Sequence, residues 1–263
     1  LNHGIFTFGS SAKQSYDRMI KLVTLAENFL NKQKKLIKYN INNKKINITD
    51  VQLCIRNLYH FFTNKRWIIK FNNKVEDVKF TNRKDLFNLF NKGPVTPDHV
   101  IRIKSEPLII PNKHLSSSKM ISNYINAYIK KYKNYFKKYK KNIINSKIAD
   151  PLPRIIILEG IGFLSIGLNK KEMQVSYDIF DAMKKVIIKA NLVSKFKSIN
   201  NTDIFKMEYW PLERAKLNNQ STKKFNGNVA VITGGAGKIG SAIANKFINE
   251  NIEVILLDKN FKN

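Results

Sequence analysis

The sequence predicts an α/β fold, on three observations. Short β-branched runs alternate with longer stretches of helical hydrophobic spacing. A glycine-rich loop at 234–240 joins an apolar run to an amphipathic stretch. Hydrophobic residues make up 43% of the 263, which supplies a core and excludes a disordered chain. At roughly 100–200 residues per domain, the length admits one large domain or two.

From the start of the chain, residues 5–8 read as strand interior, and Gly9-Ser10-Ser11 as a turn with a helix N-cap. Tyr16, Met19, Ile20, Val23, Ala26 and Leu30 have helical spacing, which predicts a helix over about 12–35. Residues 31–47 are polar and read as loop at their centre. A helix is expected over 50–62, a strand over 67–71 and a short helix over 85–90. In Thr96-Pro97-Asp98-His99, Thr96 is placed as N-cap and Pro97 as the first helical residue. A long basic helix is expected over 116–141, strands over 154–158 and 163–166, and an amphipathic helix over 170–192. A short helix ends near 217. Residues 218–227 are rich in Asn, Ser, Thr and Lys and read as the linker between two domains. The first residue is Leu1 and the last is Asn263, and both ends read as passing through folded domains. The chain is therefore expected to be an internal piece of a longer protein.

Lys plus Arg is 47 and Asp plus Glu is 19, a net charge of +28. Such a charge attracts phosphate, but 40 of the 47 are Lys and only 7 are Arg. Base readout favours Arg. Asn is also abundant, at 33, and Lys, Asn, Ile, Phe and Tyr are what adenine/thymine-rich codons encode. Coding bias accounts for the charge better than a polyanionic partner does. In the 116–141 stretch, Tyr124, Tyr128, Tyr132, Tyr135 and Tyr139 share one helix face. Their preferred reading is packing against the core with Lys solvated; a strip for nucleic acid is the alternative. One cysteine, Cys54, excludes a disulfide framework, and no apolar run approaches a membrane span.

Residues 3–9 can be laid on residues 161–167, and each segment runs into a helix holding Ser-Tyr-Asp: Ser15-Tyr16-Asp17 and Ser176-Tyr177-Asp178. This suggests a pseudo-repeat of strand, glycine turn and helix. His3 in the first copy faces Ile161 in the second, so if His3 is a ligand, the second copy has none.

The strongest local chemistry lies at 228–263. An apolar run to Thr233 is expected to be a buried strand. Gly234, Gly235, Ala236, Gly237, Lys238, Ile239 and Gly240 follow, then a helix, then a second strand ending at Asp258. Gly235, Gly237 and Gly240 satisfy GxGxxG. They would allow the tight turn, the approach of backbone to a pyrophosphate and the packing of helix on strand. Unpaired N–H groups at the helix start would meet the phosphates. Asp258 lies eighteen residues after Gly240, where an acid would accept from a ribose hydroxyl. These residues predict the first βαβ of a Rossmann fold and NAD in preference to NADP, with Lys259 and Lys262 weakening that preference.

The Thr-Gly opening and Ile239-Gly240 resemble the short-chain dehydrogenase/reductase family, in its TGxxGxxG form, since Lys238 replaces the middle glycine of TGxxxGxG. The catalytic Tyr-x-x-x-Lys of that family is absent from the chain. Residues 2–9 with Ser15-Tyr16-Asp17-Arg18-Met19-Ile20 resemble the C-terminal part of a class II aldolase/adducin domain. Thr96-Pro97-Asp98-His99-Val100-Ile101-Arg102 and Glu208-Tyr209-Trp210-Pro211-Leu212-Glu213-Arg214 are more specific. Together they resemble the bifunctional rhamnulose-1-phosphate aldolase/alcohol dehydrogenase family, over nearly the whole chain.

That resemblance implies a class II aldolase/adducin-like α/β/α domain (C-terminal part) at 1–217, with the pseudo-repeat at 154–192. A linker at 218–227 and a Rossmann start at 228–263 follow. It implies a zinc ion held by three histidines, of which His3 matches the last; the His-x-His pair and the acidic base are absent here. The parent would cleave a deoxyketose 1-phosphate to dihydroxyacetone phosphate and lactaldehyde and oxidise or reduce the aldehyde with NAD. The expected partners are sugar phosphate and aldehyde, in a cytoplasmic homo-oligomer with no membrane and no specific nucleic-acid partner. This piece is expected to be inactive alone. Two alternatives stay open: a dehydrogenase with a degenerate aldolase-like binding module, and an adducin-like interaction module.

Overall fold

The computed structural model describes residues 4–33, 36–40, 46–143, 146–218 and 223–259. Its centre is a four-stranded mixed sheet. The strands are β1 (Ile68–Asn72), β2 (Leu108–Ile110), β3 (Ile155–Leu158) and β4 (Gly162–Gly167), in the order β1-β4-β3-β2. β1 and β3 run antiparallel to β4, and β2 runs parallel to β3. Every residue of β3 and β4 is buried. That is why both read as continuous apolar runs rather than alternating ones.

Helices cover both faces of the sheet, and successive strand residues divide between them. Ile156, Leu158, Leu164 and Ile166 pack against α2 (Ile48–Thr63) and α5 (Ser118–Tyr139), through Val51, Ile55, Tyr59, Ile121, Ile125 and Ile129. Ile155, Ile157 and Phe163 face the other way. They meet α3 (Val75–Thr81), α4 (Leu86–Phe90) and α6 (Lys170–Val193), through Phe80, Leu86, Phe90, Phe180, Met183 and Ile187. The architecture is the α/β/α arrangement expected of the larger domain.

On α5 the isoleucines are deepest, most of the tyrosines flank them half-buried, and the lysines of its second half are exposed. The amphipathic reading of this helix therefore holds. Residues 97–98 begin a helical turn that widens into a π-turn at His99–Ile103. Thr96 is not its side-chain cap. The His99 ring instead reaches back from within the turn: its Nδ1 accepts from the backbone N–H groups of Val95 and Thr96, at 3.2 and 3.0 Å. Two helices then pack behind the turn, α7 (Asn201–Glu208) and α8 (Pro211–Asn218), with Ile204 against Val100 and Ile101.

Two regions differ from expectation. Residues 4–9 form no strand, because no described strand lies beside them to complete a ladder. The helix after them, α1 (Ala12–Lys32), buries none of its residues. The strands β5 (Val229–Thr233) and β6 (Glu253–Leu257) pair in parallel around α9 (Lys238–Asn249), as expected. β5 is not buried, however: Val231 is 59% exposed. A two-stranded sheet with one helix covers only part of its surface. Among the described residues, no helix is long and apolar enough to cross a membrane.

Candidate functional site

The glycine loop leaves β5 at Thr233 and enters α9 at Lys238. Gly234 has φ of +68°, a conformation that L side chains resist. A turn bond from Gly237 N to Gly234 O, at 3.1 Å, closes the loop, and Gly235 N donates to Leu257 O at 3.2 Å. A Cβ on Gly240 would lie 2.2 Å from Gly234 O, and one on Gly235 would meet Leu256 at 2.8 Å. Only glycines let the helix close on the strand here. Gly237 caps α9 and has no side chain to do so, which leaves the first N–H groups of the helix facing outward. Lys238 and Ile239 are exposed on that rim. Asp258 comes back to the same place: its Oδ2 accepts from Ala236 N at 2.9 Å. Thr233, Gly234, Gly235, Gly237, Lys238, Ile239, Gly240 and Asp258 are thus brought together around one loop.

His3 lies outside the described residues. Among those described, no group of three or more His, Cys, Asp or Glu is placed to hold a metal. Ile161, the counterpart of His3, packs against the core beside β3 and β4. His99 accepts from two backbone N–H groups. Burial lowers its pKa, partly opposed by Asp98 and a backbone hydrogen bond to Ile179, so the neutral ring is favoured.

A second constellation unites three segments that were noted for other reasons. Lys104 ends the π-turn, Tyr132 lies on α5, Glu208 ends α7 and Tyr209 follows it. All four are buried. Lys104 Nζ lies 3.4 Å from Glu208 Oε1 and 3.2 Å from the Tyr132 hydroxyl, and sits over the Tyr132 ring at 4.2 Å. Tyr132 donates to Glu208 Oε1 at 2.6 Å, which leaves its oxygen to accept from Tyr209 at 2.8 Å. Tyr209 in turn accepts from Ala149 N at 3.2 Å. The result is a directed chain of hydrogen bonds ending on a carboxylate.

Burial pushes the Tyr132 phenol up, and Glu208 and Tyr209 add to the rise, so it stays protonated. Burial pushes Lys104 down, with Glu208 opposing. Lys104 also has φ 73° and ψ 164°, a region almost confined to glycine, at a cost on the order of 1–3 kcal/mol. Sequence reasoning quoted Glu208 and Tyr209 within a motif but gave them no role, and passed over Lys104. The signal was there in outline: a lysine just after a proline-started turn and a Glu-Tyr pair far along the chain. Their meeting is a tertiary fact.

Residues 47–217 match the family model described as aldolase class II, second domain. The chain belongs to that family. The class II aldolase second domain here includes the whole mixed sheet, the π-turn and the buried Lys104–Glu208 pair, and it ends before the glycine loop. The chain is also 26% identical over 275 residues to "uncharacterized oxidoreductase YuxG" of Bacillus subtilis (strain 168). That alignment covers 99% of this chain and 39% of the relative, so the chain spans well under half of that protein's length. No solved structure matches the chain.

Proposed function

We propose that these residues belong to a two-activity enzyme of sugar breakdown, in which an aldolase-type region is joined to a dinucleotide-dependent oxidoreductase. The observation that carries this reading is a class II aldolase second domain followed directly by a glycine loop whose cradle a Cβ would fill. In this reading Gly235, Gly237 and Gly240 would hold the pyrophosphate of NAD and Asp258 its ribose. NAD supplies a two-electron hydride acceptor when bound. The chain's own part is to present the open N-terminus of α9 to negative charge and to close the strand on the helix. The name of the Bacillus relative as an oxidoreductase supports the same reading.

The finer proposal is retro-aldol cleavage of a deoxyketose 1-phosphate to dihydroxyacetone phosphate and lactaldehyde, with the aldehyde passed to the NAD-dependent part. His3, the one zinc ligand this chain is expected to carry, lies outside the described residues, and those described hold no group of three or more His, Cys, Asp or Glu placed for a metal, so no step on a metal is assigned to them.

Isothermal titration with NAD and NADP tests the first proposal. Saturable NAD binding is expected, abolished in Gly240→Val, and with NAD no longer preferred over NADP in Asp258→Ala. Equal binding by the parent and Gly240→Val would contradict it.

A further inference from the structure

A cavity of about 550 Å³ opens where the end of α2 meets the segment leading into β5. His60, Lys65 and Arg66 line it from one side, and Lys223 and Lys224 from the other. No carboxylate among the described residues lines it. The joint beneath is closely built. Gly227 has φ of +75°, and a Cβ there would lie 2.4 Å from the Arg66 carbonyl oxygen. Arg56, on α2, donates to the Gly227 carbonyl at 3.1 Å. The two walls are therefore joined backbone to backbone.

Lysine is spread over the whole surface of this chain, so number alone marks no site. The arrangement here does. Arg66 donates to the Asn228 side-chain carbonyl, and Lys223 to the Asn249 backbone carbonyl. His60 Nδ1 lies 3.1 Å from the Lys65 carbonyl, which can only accept, so Nδ1 carries a proton. Lys224 Nζ lies 5.6 Å from the Phe225 ring centroid. Every one of these partners is neutral. They fix the cations in place without cancelling their charge. None of the four Lys and Arg side chains makes an ion pair among the described residues. Lys131, Lys170, Lys184, Lys185 and Lys216, by contrast, each face a carboxylate. Lys65, Arg66 and Lys224 are exposed, so a ligand reaches them without rearrangement. Like charges gathered around one opening raise the local potential and favour an anion of matching charge.

We propose that this cavity binds a chain of two or three linked phosphates, either inorganic or the tail of a nucleotide. A single phosphate matches only part of the cationic set, whereas a linked triphosphate bears enough charge to meet both walls. The Arg66 guanidinium offers its remaining N–H groups as a fork, and the lysines act as point charges. The Phe225 ring, 40% exposed, gives a base a face to stack on. Because the walls come from both sides of the joint, the bound ligand ties the mixed-sheet domain to β5. The glycine loop lies at the other end of β5, so this site is separate from the dinucleotide cradle.

The test is titration calorimetry of the folded chain at physiological salt, without divalent cations. The probes are tripolyphosphate, ATP, inorganic phosphate and citrate. Saturable binding of tripolyphosphate and ATP is expected. Tighter binding of ATP identifies the nucleotide as the source, and tighter binding of tripolyphosphate the inorganic chain. Phosphate and citrate should bind at least about tenfold more weakly. Lys65→Met combined with Lys224→Met should weaken tripolyphosphate binding about tenfold, the loss of two charge-assisted contacts. Arg66→Lys keeps the charge but loses the fork, and should weaken it about threefold. Lys137→Met combined with Lys138→Met removes the same charge from α5 and should change affinity less than about twofold. Gly240→Val should leave both affinities unchanged, which separates a failure here from a failure of the NAD reading. Amides of 226–229 should gain hydrogen-exchange protection when tripolyphosphate binds. The proposal is overturned by absence of saturable tripolyphosphate binding at millimolar concentration. It is also overturned by equal losses in the two double variants, which would mean attraction to net charge only, or by citrate or phosphate binding as tightly as tripolyphosphate.

Discussion

In residues 4–32 the Ser15 hydroxyl donates to the Thr7 carbonyl at 3.0 Å, and in residues 162–193 the Ser176 hydroxyl donates to the Ile166 carbonyl at 3.1 Å. Each serine opens a Ser-Tyr-Asp triplet on a helix, and each helix follows a glycine against which it packs closely. A Cβ on Gly9 would meet Gln14 Oε1 at 2.7 Å, and one on Gly167 would meet Met173 N at 2.2 Å. The same local devices therefore turn the chain in both units. Their surroundings differ entirely. β4 is buried at every residue and paired on both edges, whereas Phe6 and Phe8 are 81% and 83% exposed and α1 has no buried residue. Local sequence sets the turn and the helix start; burial comes from neighbours that the segment itself does not encode.

The comparison can be broken most severely at the two glycines. Gly167→Ala forces backbone apart in the core and is expected to cost about 3 kcal/mol or more, while Gly9→Ala displaces mainly a flexible side chain and should cost under about 1 kcal/mol. Urea denaturation measures both; equal losses would show that the exposed unit is held as firmly as the buried one.

A smaller effect concerns pH, and it is confined to the buried unit's domain. Burial holds His99 below its ordinary 6.5, so the unfolded chain binds the proton more readily. The stability that neutral His99 contributes is fully present above 6.5 and is lost as pH falls through the lowered folded value. For Asp150, burial raises the pKa, but Arg154 and the Leu152 N–H outweigh it, and the net result lies below 3.8. Its contribution is present above 3.8 and fades as pH falls through the folded value. The urea midpoint should fall in two stages on acidification, and His99→Gln should remove the first stage while leaving the second.

Much of this fold was legible in the sequence. The three-layer domain showed in β-branched runs separated by amphipathic stretches, and the glycine loop showed in the spacing of Gly235, Gly237 and Gly240. What was not legible depends on partners distant in the chain. Residues 5–8 have strand composition, but a strand needs a neighbour, and none is described beside them. Thr96 has the right chemistry for a cap, yet its side chain does not cap the turn, and the buried His99 ring instead reaches back to the Val95 and Thr96 N–H groups. Helix α3 was missed because Val75–Thr81 is a short segment in which Asp77 and Thr81 are buried as firmly as Phe80. Asp77 is buried through its ion pair with Lys184, 107 residues away, at 2.6 Å. The Lys104–Glu208 pair escaped for the same reason.

The central claim is that one cooperative core spans the mixed sheet and its helices, with more lightly held elements on either side that include the glycine loop. Native-state hydrogen exchange of the 263-residue chain tests it most directly. The account predicts that amides of β3, β4 and the inner face of α6 exchange only through global unfolding. Those of α1, and of β5, α9 and β6 without NAD, should exchange far faster through local opening. Protection of α1 and of β5 as strong as that of β4 would contradict the account.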